Sequence, residues 1–101
     1  VIYQRAMEIE MRFSEIMFER EKEMSIHYRD VAIGRRRVDF FVEEKIMVEL
    51  KALMRLEDGH LAQAMNYLEA YNKEIGLLIN FGGRSLEFKR THNNKYLDSK
   101  D

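Results

Sequence analysis

The stretch Val38-Asp39-Phe40-Phe41-Val42-Glu43-Glu44-Lys45-Ile46-Met47-Val48-Glu49-Leu50-Lys51 decides the fold. In its second half Ile46, Val48 and Leu50 alternate with Met47, Glu49 and Lys51, the period of two that a strand imposes on its side chains. In its first half Val38, Phe40 and Val42 share one face, with Asp39 and Phe41 on the other. A short charged loop around Glu43-Glu44 separates the halves, so the segment reads as a hairpin of strands over residues 35 to 42 and 45 to 52. If both apolar sets meet one core, the parity of the register is set, because a slip of one residue sends one set to the wrong side. The simplest register pairs Val42 with Ile46, Phe40 with Val48 and Val38 with Leu50. On the opposite face it pairs Phe41 with Met47 and Asp39 with Glu49.

That register sets two carboxylates directly across from each other, with Cβ atoms roughly 5 Å apart. Like charges in such a position repel, so one carboxyl rises in pKa or a cation sits between them. A hard divalent ion with oxygen ligands, Mg²⁺ or Mn²⁺, suits the pair. Lys51 lies two residues past Glu49 on the same face, where its ammonium can orient a water or offset charge on a phosphoryl group. On spacing alone, a solvent-facing hairpin in which Lys51 bridges Glu49 is the simpler reading, since so short a pattern of aspartate, glutamate and lysine arises by chance.

Outward from the hairpin, residues 1 to 13 read as a helix with Ile2, Ala6, Ile9 and Phe13 as its apolar stripe. Residues 15 to 28 turn strand-like, and Arg29-Asp30 suits a turn. A second helix is predicted from Glu57 to about Asn72, with Leu61, Ala64, Met65, Leu68 and Tyr71 facing inward. On it Gln63 and Tyr67 are one turn apart and share a face, positioned to be aimed at the carboxylate side of the hairpin, while His60 reads as a residue of the helix start. The apolar run from Ile75 to Phe81 suits a buried strand, Gly82-Gly83 a turn, and Ser85 to Arg90 an edge strand. The order of helix, three strands, helix and two strands implies an α/β or α+β fold around one mixed sheet, in a single domain over residues 1–90 with a polar tail over 91–101 that frays.

The chain has 101 residues, room for one domain with a modest core. It has no cysteine, which excludes disulfides, thiol nucleophiles and Cys-ligated zinc and fits a cytoplasmic protein. No apolar run is long enough for a membrane span, and no leader is visible at Val1-Ile2-Tyr3-Gln4-Arg5. The formal net charge of −1 is not that of a general nucleic-acid binder, so phosphate contacts would need a local patch. Arg35, Arg36 and Arg37 run together, and Lys89 and Arg90 lie near the end. Seven methionines, among them Met7, Met11, Met17 and Met24, are core filler or an adaptable surface for a second copy in a homo-oligomer.

Taken together, Arg37-Val38-Asp39-Phe40, Val48-Glu49-Leu50-Lys51-Ala52, the Gln63-to-Tyr67 QxxxY element and Gly76-Leu77-Leu78-Ile79-Asn80-Phe81-Gly82 resemble the GxxExxY proteins of the PD-(D/E)XK nuclease superfamily, near its QxxxY-bearing, exonuclease-like branch. The resemblance spans Tyr3 to about Arg90. It implies a restriction-endonuclease-like αβββαβ core, with a mixed central sheet flanked by helices, and metal-dependent hydrolysis of phosphodiesters in DNA. By motif position Asp39, Glu49 and the backbone carbonyl of Leu50 would bind Mg²⁺ or Mn²⁺, Lys51 would position the water, and Gln63 and Tyr67 would support the site. Tyr3 aligns with the tyrosine of the GxxExxY segment, which puts that segment's glycine and glutamate before Val1, as in an N-terminally truncated member. A catalytically weak nuclease-fold module that binds nucleic acid or a protein is the alternative.

Overall fold

The computed structural model describes residues 2–97. Its elements are α1 (Ile2–Phe13), β1 (Phe18–Tyr28), β2 (Val31–Val42), β3 (Ile46–Lys51), α2 (Asp58–Ala70), β4 (Ile75–Asn80) and β5 (Glu87–His92). The five strands form one sheet in chain order. All neighbours are antiparallel except β3 and β4, which run parallel. A parallel pair needs a crossover, and α2 supplies it. The β1–β2 turn is tight because Arg29 and Asp30 both take positive φ, 49° and 64°, the hand that matches strand twist in a two-residue hairpin. His60 sits at the start of α2, where its Nδ1 accepts the Glu57 N–H at 3.0 Å.

Both faces of the sheet are covered. One apolar cluster gathers Met24, Val38, Phe41 and Met47 with Leu68 and Tyr71 of the α2 region. The other gathers Phe40, Val42, Val48 and Ile79 with Met11 of α1. The expectation of a single core under Val38, Phe40 and Val42 is therefore corrected: Val38 belongs to the α2 side, Phe40 and Val42 to the α1 side. The physical cause lies between Val38 and Phe40. Opposite Asp39, Glu21 of β1 adopts a left-handed φ of 54°, and the β1–β2 ladder passes from Arg20↔Phe40 to Lys22↔Val38 across that point. A non-glycine residue in that conformation breaks the pleat there, apart from the register shift farther along the ladder at Ile26 and His27.

The face of α1 is also corrected. Ile2, Ile9 and Phe13 are exposed, whereas Met11 is buried and Met7 packs beside it. Methionine at i and i+4 moulds to the uneven top of the sheet better than β-branched isoleucine. Two further contacts seat the helix. Tyr3 stacks on Phe81 at 4.5 Å with planes 7° apart, and Glu8 reaches Arg20 of β1 at 3.1 Å.

The Gly76-to-Gly82 segment acts through its backbone and one asparagine. Asn80 is fully buried. Its Oδ1 accepts the N–H groups of Leu53 and Gly82 at 2.7 and 3.2 Å, and its Nδ2 donates to Leu53 O and Glu87 Oε1, both at 2.9 Å. Phe81 N donates to Lys51 O at 2.9 Å. Gly82 lies so close to this crossing that a Cβ would fall 2.5 Å from the Ala52 carbonyl carbon and the Leu53 nitrogen. The end of β3 is thus stitched to the end of β4.

The segment expected to fray from Thr91 is instead held as far as Leu97. β5 runs to His92, and buried Asn93 donates to Leu68 O and Lys73 O at 3.2 and 3.1 Å, closing the end of α2. Asn72 exchanges two hydrogen bonds with the Leu97 backbone, at 2.9 and 3.0 Å. The remainder of that tail, 98–101, lies outside the described residues.

Replacing Asn80 by alanine orphans several buried partners at once and is expected to lower stability by about 3 kcal/mol. Gly82→Ala is expected to cost about 1–3 kcal/mol by overpacking against backbone that cannot retreat. Urea unfolding checks both, as a lower midpoint at unchanged slope.

Candidate functional site

The ladder between β2 and β3 is three pairs long, from Val42↔Ile46 to Phe40↔Val48. It stops where Asp39 and Glu49 would have faced each other, and Val38 does not reach Leu50. The expected Asp39–Glu49 cross-strand pair is replaced by a different connection. Asp39 Oδ2 accepts the backbone N–H of Leu50 at 2.7 Å, so a side chain stands where a β2 carbonyl would have continued the sheet. β3 stays paired with β4 through Lys51↔Asn80. The two strands part at Asp39, and the gap opens a place for something other than backbone.

The carboxyl of Glu49 comes within interaction range of Asp39, although the two residues are not ladder partners. Its side chain is only 13% exposed. Burial, the largest influence, pushes the Glu49 carboxyl above the ordinary carboxylate value, and the nearby charge of Asp39 adds to this. Arg36 opposes both through an ion pair in which Arg36 Nη1 donates to Glu49 Oε1. The Arg36 guanidinium in turn lies 4.1 Å above the ring of Tyr67 on α2. Burial works against its charge, yet Glu49 more than compensates and holds it above its usual value. Tyr71 stands beside Tyr67, ring centres 6.2 Å apart.

On the α1 side, Asp39, Leu50, Lys51 and Ala52 line an open cleft together with Tyr3, Gln4 and Phe81. The stack of Tyr3 on Phe81 brings the first turn of α1 to this rim. The strand split therefore joins a buried polar cluster of Glu49, Arg36 and Tyr67 to an accessible cleft holding Asp39 and Lys51. Among the described residues no group of three or more His, Cys, Asp or Glu side chains converges. The available oxygen donors are two carboxylates, each with one oxygen already engaged and one left over. That is a set Mg²⁺ accepts, because it keeps most of its waters and takes one or two carboxylates beside a phosphate.

The other residues singled out from the sequence are placed less uniformly. Gln63 is exposed on α2, and no hydrogen bond involves its side chain among the described residues. The three consecutive arginines do not make one patch, since strand geometry alternates them. Arg35 and Arg37 approach Glu23 at 3.7 and 3.9 Å, while Arg36 turns inward to Glu49. Lys89 and Arg90 are exposed neighbours on the edge strand β5, hence on opposite faces. The residue that sequence reasoning misjudged is Arg36, taken as one of a surface trio. Its spacing of two from inward-facing Val38 was the available signal.

A mixed five-stranded sheet between two helices, with an aspartate at a strand split and Glu-x-Lys on the next strand, defines a restriction-endonuclease-like domain. The chain belongs to the PD-(D/E)XK nuclease superfamily, whose family model matches residues 1–91. It is similar to the crystal structure of SSO0001, with a TM-score of 0.66 and 20% sequence identity. The match takes in 96% of this chain and 50% of that one, so the chain spans half the length of that structure. At this identity the likeness speaks for the fold alone. No curated protein matches the chain.

The raised Glu49 pKa has a consequence for stability with a definite sign. A group whose folded pKa exceeds its unfolded value favours the fold at low pH, and that contribution is lost as pH rises through the folded value. The stability of Glu49→Gln relative to the unmodified protein is therefore expected to increase as pH goes from the ordinary carboxylate value of 4.5 upward. Urea unfolding of both proteins at pH 4.5 and 7 reads the change; a constant difference would remove the assignment.

Proposed function

We propose that the chain is the catalytic domain of a divalent-metal-dependent nuclease that hydrolyses phosphodiester bonds in DNA, and that it is a GxxExxY protein. The observation that carries this reading is the pair of neighbouring carboxylates, Asp39 and Glu49, at the point where β2 and β3 part. In this reading Asp39, Glu49 and the Leu50 carbonyl hold Mg²⁺ or Mn²⁺. The ion, when bound, supplies charge stabilisation at the phosphoryl group and a more acidic water.

The chain's own residues do the rest. Asp39 keeps its geometry through the Leu50 N–H, which fixes one carboxylate oxygen and leaves the other directed elsewhere. Lys51 is anchored by its backbone to Phe81 and Asn80 and lines the cleft; in this reading its ammonium orients the attacking water and offsets phosphate charge. Tyr67 backs the site through Arg36. Gln63, one turn earlier on α2, is assigned to substrate-side support because its side chain is free to reach outward. Tyr3 corresponds in this reading to the tyrosine of the GxxExxY segment. Its seat on Phe81 supports the idea, because it brings the first turn of α1 to the cleft that Asp39 and Lys51 line.

A second reading, a nuclease fold retained for binding, is favoured by one observation: Arg36 already occupies an oxygen of Glu49. Binding would then draw on Arg35, Arg37, Lys89 and Arg90, weaken steeply with salt and yield no products.

A cleavage assay on single- and double-stranded DNA with Mg²⁺ or Mn²⁺ tests the proposal. Asp39→Asn and Lys51→Ala are each expected to lower the rate by about 100-fold or more, the range for removing one electrostatic contributor to a transition state. Cleavage unchanged in both variants would end the nuclease reading at this site; salt-sensitive binding without products would establish the second one.

A further inference from the structure

We infer that Arg36 is a built-in counter-ion of the carboxylate site, a guanidinium that holds Glu49 while no divalent cation is bound and competes with that cation for the same carboxylate. The inference rests on the reading of Asp39 and Glu49 as a cation site and adds a regulator to it.

Three observations converge. First, Glu49 is too enclosed for water to solvate its charge, and Asp39 lies beside it, so the pair needs a positive partner within the protein. Lys51 does not serve, since no ion pair to it forms among the described residues; Arg36 does. Second, Arg36 is held in place independently of Glu49. Its guanidinium lies over Tyr67 at 4.1 Å, and its side chain is 28% exposed. The ring face attracts the cation whether or not the carboxylate is there, so the arginine keeps its platform when the carboxylate is taken from it. Third, the ion pair uses Oε1 of Glu49, and Asp39 spends Oδ2 on the Leu50 N–H. A cation that draws on Glu49 Oε1, and not only on the remaining oxygen of each carboxylate, must take it from Arg36.

The consequence is an exchange. A divalent cation arriving between Asp39 and Glu49 meets a unit positive charge a few ångströms away and is weakened by it. Once Glu49 turns to the cation, the guanidinium remains stacked on Tyr67. Arg36 is thus a positioning residue, which keeps Glu49 beside Asp39 and sets how much cation is needed to load the site. The neighbouring Arg35 and Arg37, on the opposite face with Glu23, do not share this role.

Calorimetric titration with Mn²⁺ and Mg²⁺ of the unmodified protein, Arg36→Gln, Arg36→Lys and Asp39→Asn tests the inference without any substrate. Arg36→Gln is expected to bind Mn²⁺ at least fivefold more tightly, Arg36→Lys to stay within about twofold of the unmodified protein, and Asp39→Asn to lose binding. Affinity in Arg36→Gln that is unchanged or weaker, with Asp39→Asn still impaired, overturns the counter-ion role and leaves the cation site standing. Binding absent from every protein, or unaffected by Asp39→Asn, removes the cation site and the inference with it. Should Arg36→Gln fail to fold, nitrogen-15 NMR of the arginine side chains in the unmodified protein decides the matter. Addition of Mg²⁺ is expected to shift the Arg36 signals while leaving those of Arg35 and Arg37 in place, and an Arg36 signal indifferent to saturating Mg²⁺ overturns the exchange.

Discussion

The bond from the Leu50 N–H to Asp39 Oδ2 is the constraint on which the rest of the site depends. A sheet continues as long as each strand offers its neighbour backbone donors and acceptors. Here a side chain takes one of those places, and the β2–β3 ladder ends with its third pair. Without the bond, a buried amide would lack a partner, at a cost of about 1–3 kcal/mol. With it, the split costs the fold little, and the aspartate that caps the split is fixed to within the tolerance of a 2.7 Å hydrogen bond. The same interaction therefore ends the ladder and orients the Asp39 carboxylate. Glu21, opposite Asp39 on the other flank, is the strained residue that lets β1 follow β2 through the change of face.

The far side of β3 must be rigid if the near side is to open. Asn80 supplies that rigidity, with both its amide groups engaged against Leu53, Gly82 and Glu87. It ties the chain leaving β3 to the chain leaving β4, and Gly82 makes the approach possible by having no Cβ. Lys51 sits between these two regimes. Its backbone belongs to the stitched side, and the residue lines the cleft as well. A lysine on a frayed strand end would wander over several ångströms; on this one it is confined to the arc of its own rotamers.

Much of this fold was legible in period-two and helical patterning, because long, strongly patterned segments reveal their type. The hairpin of β2 and β3, the crossover helix and the buried β4 follow from residues such as Ile46, Val48, Leu68 and Leu78. What patterning could not reveal was which face each element buries. With helices on both sides, β2 is buried at Val38, Phe40, Phe41 and Val42 alike, and the rule that apolar positions share one face loses its premise. The same limit explains α1, where Ile2, Ile9 and Phe13 form a tidy stripe on the exposed side while Met7 and Met11 do the packing. In the candidate site, spacing and resemblance single out Asp39, Glu49 and Lys51, and the closeness of Asp39 to Glu49 is the part that strand pattern made legible. The partnership of Arg36 with Glu49 was not, because a ladder that stops early changes which residues meet. Asn80 and Asn93 were illegible for a related reason: a buried asparagine is recognised by the backbone groups it satisfies, and those come from distant parts of the chain.

Glu49 shows what such a site costs the molecule that carries it. A carboxylate with 13% exposure beside a second carboxylate is a poor choice for a core, and burial holds its pKa up accordingly. Hydrophobic residues of similar volume in place of Glu49 and Arg36 together would be as stable or more so, as replacement of a whole buried ion pair commonly is. The fold tolerates the charge only through Arg36, and Arg36 is tolerated only through the face of Tyr67. Each step moves the penalty one residue further from the cleft, until an aromatic ring on α2 absorbs it at the edge of the apolar cluster. That chain of compensation links the crossover helix to the strand split more tightly than apolar packing alone would. It also accounts for the position of Tyr67, whose ring serves the cluster and the cation at once. A domain of this size has few apolar contacts to spare, so spending one such ring on the support of a buried charge is intelligible if the charge has work to do.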